Sequence, residues 1–202
     1  MRTGTQDLHL EAERSGLMAA LLQGRLSRAA YVGLLHNLLA IYRALEAGLA
    51  QVPPLPALPW HTLQRGPALA RDLACLRGAD AAVLVPAAEA YVERLHTLAP
   101  ASPTRAAARP ELLLAHAYVR YLGDLHGGQI LRRCTARLLG TTDGDGLDFY
   151  DFGPPDQVAM LIGRFRAGLD ALVLPPERAQ AVVAESRWAF EQHVRLFREL
   201  PH

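Results

Sequence analysis

Lysine is absent from all 202 residues: the 21 basic side chains are arginines, set against 20 acids for a formal charge of +1. A chain so nearly neutral, with arginines spread among acids, has no basic face for nucleic acid, and none is expected as a partner. Cysteine is almost as scarce. Cys75 and Cys134 stand alone, without CxxC or metal-ligand spacing, and read as two reduced thiols. No run reaches the roughly 18 apolar residues that cross a bilayer, and the opening "MRTGTQDLHLEAERSGLM" has no apolar signal core. A soluble cytoplasmic protein without membrane contact is expected. Sustained period-two alternation is missing as well, which argues against a sheet.

What is present is helical. Half of the residues are hydrophobic, enough over this length for one core and one domain spanning 1–202. Leu8, Ala12, Ala19 and Leu22 predict a first helix that "QGR" at 23–25 interrupts. Ser27 is positioned to cap a second helix running through "AAYVGLLHNLLAIYRALEAGLA" and stopping before Pro53. "VPPLPALPW" reads as an extended connector and "APASPTRAAARP" as a loop. Helices are predicted at about 66–76 and 86–98, from Pro110, and, after the turn-rich "TTDGDGLDFYDFGPP", at about 156–172 and 176–199. The expected fold is an all-α, single-domain helical bundle without internal repeats.

Within the helix opened by Pro110, "RYLGDLHGGQILRR" places Gly123, Gly127 and Gly128 around Asp124. Each glycine costs roughly 1 kcal/mol relative to alanine in a helix interior, about 3 kcal/mol in all. Ala117, Arg120, Asp124, Gly127 and Gly128 fall on one stripe, an acid beside bare backbone where a planar ligand can lie close. The glycines either end one helix and start another, or kink a single helix beside the acid. The prompt return of helical periodicity in "QILRRCTARLLG" favours the kink. On the first helix, His9 is followed four residues on by Glu13, with small Thr5, Ala12 and Gly16 on that face. Glu13 can hold one ring nitrogen and raise the basicity of the other toward a metal.

Together these features resemble the heme oxygenase family. "LLLAHAYVRYLGDLHGGQILRR" is similar to that family's distal helix with its GD-x-x-GG motif, "HLEAERSGLMAALLQGRLSRAAYVGLL" to its proximal helix, "IYRALE" to its second helix and "AFEQHVRLFREL" to its last. The resemblance implies a bundle with heme between the proximal and distal helices. It implies His9 as axial ligand to the heme iron, Glu13 as the partner of that ring, and Asp124 as the distal carboxylate organising waters. Gly123, Gly127 and Gly128 would let the distal helix bend against the heme. Tyr42 and Arg120 would belong to the aspartate's network, Tyr118 and Arg164 would contact the propionates, and Phe190 would line the pocket. The implied reaction opens heme b, at once substrate and cofactor, to biliverdin, carbon monoxide and ferrous iron, using O2 and an external reductant.

The chain carries no redox-cofactor motif, so electrons are expected from a ferredoxin, flavodoxin or reductase, and a bilin-binding photoreceptor is a possible product acceptor. Three departures from the family pattern stand out. His126 replaces a small serine, and either turns into a helix interface, adds a titrating group near the distal waters, or competes for the heme iron as a cofactor-binding residue. Gln6 and Met160 occupy lysine positions, leaving Arg2, Arg164 or Arg166 to supply charge to the propionates. No C-terminal membrane anchor like that of the animal microsomal forms is expected. A heme carrier or sensor of the same fold, without turnover, is the competing reading.

Overall fold

The apolar stripe from Ala30 to Leu49 sits at the middle of a helical bundle. A computed structural model describes residues 2–14, 16–52, 60–76, 83–99, 109–141 and 144–201, with residues 2–4, His9 and Glu13 described in backbone only. The stripe forms α3 (Arg28–Gln51), whose first turn is closed by the Ser27 hydroxyl accepting the Ala30 N–H at 3.1 Å. Tyr31, Leu35, Ile41, Tyr42 and Leu45 on it are fully buried. Each such side chain contributes about 1.5–3 kcal/mol by leaving water.

Around α3 pack α5 (Gly66–Cys75), α6 (Pro86–Leu98) and α7 (Pro110–Ala117), each opened by proline in its first turn. Gly48 lets α7 approach closely: a Cβ there would lie 3.3 Å from Leu113 Cδ2. The chain then runs through a π-helical turn, Tyr118–Leu122, directly into α8 (Gly123–Leu139), which ends at Gly140 in the left-handed region with φ 67°. α9 (Pro155–Asp170) and α10 (Pro176–Glu199) complete the bundle. No strand occurs among the described residues.

The first helix divides in two. α1 (Arg2–Glu13) ends with the Arg14 N–H shared between the Leu10 and Glu11 carbonyls, and α2 (Gly16–Leu22) starts afresh. The local "RSG" favours helix too weakly to carry one helix through. α1 packs on α10, where Arg187 grips Asp7 with both terminal nitrogens at 3.1 and 3.0 Å and Arg198 reaches Glu11 at 2.7 Å.

Beyond the helices expected from the sequence, the chain forms a one-turn helix α4 (Trp60–Leu63) and a 3-10 turn, Asp148–Tyr150. Most of "VPPLPALPW" and "APASPTRAAARP" lies outside the described residues, as do residues 142–143 of the glycine-rich loop. The rest of that loop is clamped from α5. Asp72 accepts the N–H groups of Asp148 and Phe149, both at 2.8 Å, and Arg65 donates to the Asp151 carbonyl at 2.5 Å while stacking on Phe152. Glu46 of α3 reaches across to accept the N–H groups of Arg65 and Gly66, capping α5 where no local side chain does so.

Candidate functional site

The irregularity expected at the glycines lies one turn earlier. Gly123 has ordinary helical angles (φ −59°, ψ −49°), and α8 continues through Gly127 and Gly128 without a break. The departure from α geometry is the π turn at Tyr118–Leu122, whose wider turn rotates the following residues relative to α7. Because the glycines keep helical dihedrals, what distinguishes them is the missing side chain.

Arg120 in the π turn and Asp124 in α8 face Tyr42 of α3 and His193 of α10. The Tyr42 hydroxyl donates a short hydrogen bond to Asp124 Oδ2, and Arg120 Nε donates to the same hydroxyl at 3.2 Å. Arg120 Nη2 meets Asp124 Oδ1 at a longer 3.4 Å, and Nη1 donates to His193 Nε2. The Arg120 side chain is 7% exposed and that of Asp124 12%. One cation and one carboxylate thus share a nearly dry site, with a hydroxyl and an imidazole taking the remaining bonds.

Burial raises the proton affinity of the Asp124 carboxyl above the usual carboxylate range, against the pull of Arg120, Tyr42 and the more distant Arg65. Burial likewise holds the Tyr42 hydroxyl protonated and keeps the His193 ring neutral, the second effect reinforced by the Arg120 charge. Arg120 keeps its charge: burial disfavours it, but Tyr42 and Asp124 more than compensate.

The glycines divide by direction. A Cβ on Gly123 would meet nothing within 4 Å, and one on Gly127 only its own helix neighbour Leu131, at 4.0 Å. Gly128 instead faces the clamped loop, where a Cβ would lie 3.8 Å from the Tyr150 carbonyl oxygen. Gly123 and Gly127 therefore offer bare backbone beside Asp124, while Gly128 seats α8 on its neighbour. Tyr118 and Phe190 are half-buried against the core, and Arg164 is exposed on α9.

His126 does not join the Asp124 cluster. Its Nδ1–H donates to the Leu122 carbonyl at 2.6 Å, and its Nε2 accepts from Arg166 at 2.9 Å, so it bridges α8 to α9 at the surface. Of the three roles open to it, the contacts seen are those of a helix interface. His9 and Glu13 lie on α1, but their side chains, like that of Arg2, lie outside the described residues.

The heme oxygenase family model matches residues 1–199. The chain belongs to the heme oxygenase family. Among heme oxygenases, heme oxygenase 1 of Nostoc sp. is 33% identical over 99% of this chain and 84% of its own length. Heme oxygenase 1 of Rattus norvegicus is also 33% identical, over 99% of this chain and 70% of its own. The crystal structure of heme oxygenase-1 from the cyanobacterium Synechocystis sp. in complex with heme matches with a TM-score of 0.86 at 33% identity, covering 98% of this chain and 89% of that one. Heme oxygenase-2 from the same organism, in complex with heme and NO, matches with a TM-score of 0.88 at 34% identity, covering 98% and 82%.

The residues present fit a heme. Open space at Gly123 and Gly127 admits a flat ring against the main chain, and a nearly buried carboxyl lies beside it.

Two parts of this heme oxygenase escaped the sequence reading. His193 is one; its only sign in "AFEQHVRLFREL" is helical phase with Ala189, Leu196 and Phe197, all buried. The other is a second buried polar cluster. His116 Nε2 bonds to Glu185 Oε1 at 3.0 Å, the Tyr91 hydroxyl meets His116 Nδ1 at 3.0 Å, and Arg94 grips Glu185 at 2.9 and 2.7 Å. Burial alone would raise the Glu185 carboxyl, but Arg94 and His116 together bring it down to about 2. Burial keeps His116 neutral. These partners come from α6, α7 and α10, and no local spacing relates them.

Proposed function

We infer that this chain is an active heme oxygenase and that Asp124 is its catalytic carboxylate. Heme, both substrate and cofactor, supplies the redox chemistry when bound and is opened to biliverdin, carbon monoxide and ferrous iron with O2 and external electrons. His9 would hold the heme iron and Glu13, four residues on in α1, would partner its ring.

The observation that carries the assignment is the Tyr42–Asp124–Arg120 cluster beside the bare backbone of Gly123 and Gly127. Tyr42 occupies Oδ2 of Asp124, whereas Oδ1, among the described residues, has only the long contact from Arg120. Oδ1 is thus the oxygen left to hold a water and to take or return a proton. A carboxyl whose proton affinity is raised by burial is better suited to take and return a proton than an exposed one. Gly123 and Gly127 let the ring approach the helix, Gly128 braces the helix from behind, and Tyr118 and Phe190 serve as aromatic wall. Arg164, Tyr118 and Arg166 serve the propionates; Arg166 already reaches α8 through His126.

Residues 1–202 form one domain in this reading, acting in the cytoplasm. No helix among the described residues is long and apolar enough to cross a membrane. Electrons come from a ferredoxin, flavodoxin or reductase, and a bilin-binding photoreceptor is the candidate recipient of the product.

The test combines purified protein with hemin, records the Soret band, then adds a reducing system in air. The expected result is decay of heme absorption with a rising biliverdin band, lost in Asp124→Ala while heme still binds. Stable heme absorption in the wild type would establish a carrier or sensor instead.

A further inference from the structure

Arginine and a carboxylate in a dry site ordinarily close into a two-pronged pair, with parallel N–H···O bonds to both oxygens. Arg120 and Asp124 do not. Only Nη2 approaches the carboxylate, at 3.4 Å, because Tyr42 takes Nε and His193 takes Nη1. The guanidinium is held open on one side by an imidazole from another helix.

That imidazole is itself fixed. His193 is 6% exposed, with Tyr91 of α6 edge-on at 6.0 Å and Phe197 of its own helix at 5.3 Å. Tyr91 is anchored in turn through His116 and Glu185. A ring that accepts through Nε2 must carry its proton on Nδ1 or not at all, so it serves Arg120 only while neutral.

We propose that His193 is a positioning residue of the distal site: as a neutral acceptor for Arg120 Nη1 it keeps the guanidinium from closing on Asp124, leaving Oδ1 open toward the heme side. This rests on the assignment of Asp124 as the catalytic carboxylate. Removing the acceptor strands Nη1 in a buried site and frees Arg120 to swing onto both carboxylate oxygens. The carboxylate then becomes a tighter ion pair and a poorer proton carrier. The titratable and charged groups around Asp124 are Tyr42 from α3, Arg120 from the π turn, Arg65 before α5, and at longer range Tyr91, Tyr121 and Tyr150. Around His193 they are Arg120 and Tyr91. No other charge among these stands ready to replace the imidazole as acceptor.

The experiment uses ligand-free protein, so it does not depend on turnover. With aspartate side chains carbon-13 labelled, Asp124 is identified by its loss in Asp124→Asn and titrated in the wild type, His193→Asn and His193→Leu. His193→Leu should move the Asp124 midpoint down by about one pH unit, as expected for a newly closed arginine pair. His193→Asn, which keeps an acceptor, should leave it near the wild-type value. An unchanged midpoint in His193→Leu overturns the proposal.

Nitrogen-15 spectra of the wild-type imidazoles give a variant-free check. His193 should show an unprotonated Nε2 at neutral pH, and a protonated Nε2 overturns the proposal even if His193→Leu fails to fold. A wild type that passes both checks but makes no biliverdin would refute the catalytic assignment and leave the role of His193 standing.

Discussion

Replacing Asp124 by alanine separates its role as counter-ion from any role in chemistry, because the first is visible without heme. Arg120 is 7% exposed and its only carboxylate contact among the described residues is Asp124. Its other partners, Tyr42 and His193, are neutral. Asp124→Ala therefore leaves a buried cation without a counter-charge and strands the Tyr42 hydroxyl, with Arg65 adding further positive field.

Removing one partner of a buried pair costs about 3–5 kcal/mol. The carboxylate keeps some exposure and is itself disfavoured by burial, so the lower end applies: about 3 kcal/mol. For a chain of this length, that lowers Tm by roughly 6–12 °C. Ligand-free protein unfolded by heat and by urea gives the value. The double variant Arg120→Met with Asp124→Ala removes both charges and should recover at least about 1 kcal/mol relative to Asp124→Ala alone, since an apolar replacement of a buried pair is often near neutral. An Asp124→Ala Tm within a degree of wild type, or a double variant less stable than Asp124→Ala, would refute the reasoning.

Four other outcomes are expected. Gly123→Ala should stabilise the ligand-free protein by about 0.5–1 kcal/mol, since a Cβ there meets nothing. Gly123→Leu should weaken hemin binding by titration with little change in Tm, whereas Gly128→Leu should lower Tm because it pushes into the Tyr150 carbonyl. Acid should destabilise the ligand-free protein in two stages. His116 and His193 are held neutral, so the unfolded state binds more protons below about pH 6.5, and each removes up to about 1.4 kcal/mol per pH unit there. Glu185 adds a second loss as pH falls from 4.5 toward about 2. Asp124, Glu46 and Asp72, whose carboxyls burial raises, act in the opposite sense, so the diagnostic in urea titrations is a shallower decline between pH 6.5 and 5 in His193→Asn. Finally, Arg187→Ala should lower Tm only slightly at low salt and still less at high salt, because its pair with Asp7 is solvent-exposed.

The helices and the acid-beside-glycine stripe are legible in the chain because they are local: apolar spacing, a serine cap, prolines in first turns and residues three and four apart all act within one element. Ala117, Arg120, Asp124, Gly127 and Gly128 fall on one stripe from spacing alone, but spacing does not show that Gly128 faces the Tyr150 carbonyl; Tyr42 followed from the resemblance of "IYRALE". The division at Arg14 and the π turn were not legible, since each depends on how neighbouring helices draw the backbone into register.

His193, the Tyr91–His116–Glu185–Arg94 cluster and the bridge from His126 to Arg166 were decided by tertiary structure alone. Their partners lie 73, 69 and 40 residues apart. A buried polar group takes whatever partner the packing of other helices brings within hydrogen-bond reach, and no periodicity records that choice. By itself the sequence determined that this chain is a helical bundle with an acid set in bare backbone; the fold determined which way that acid is held.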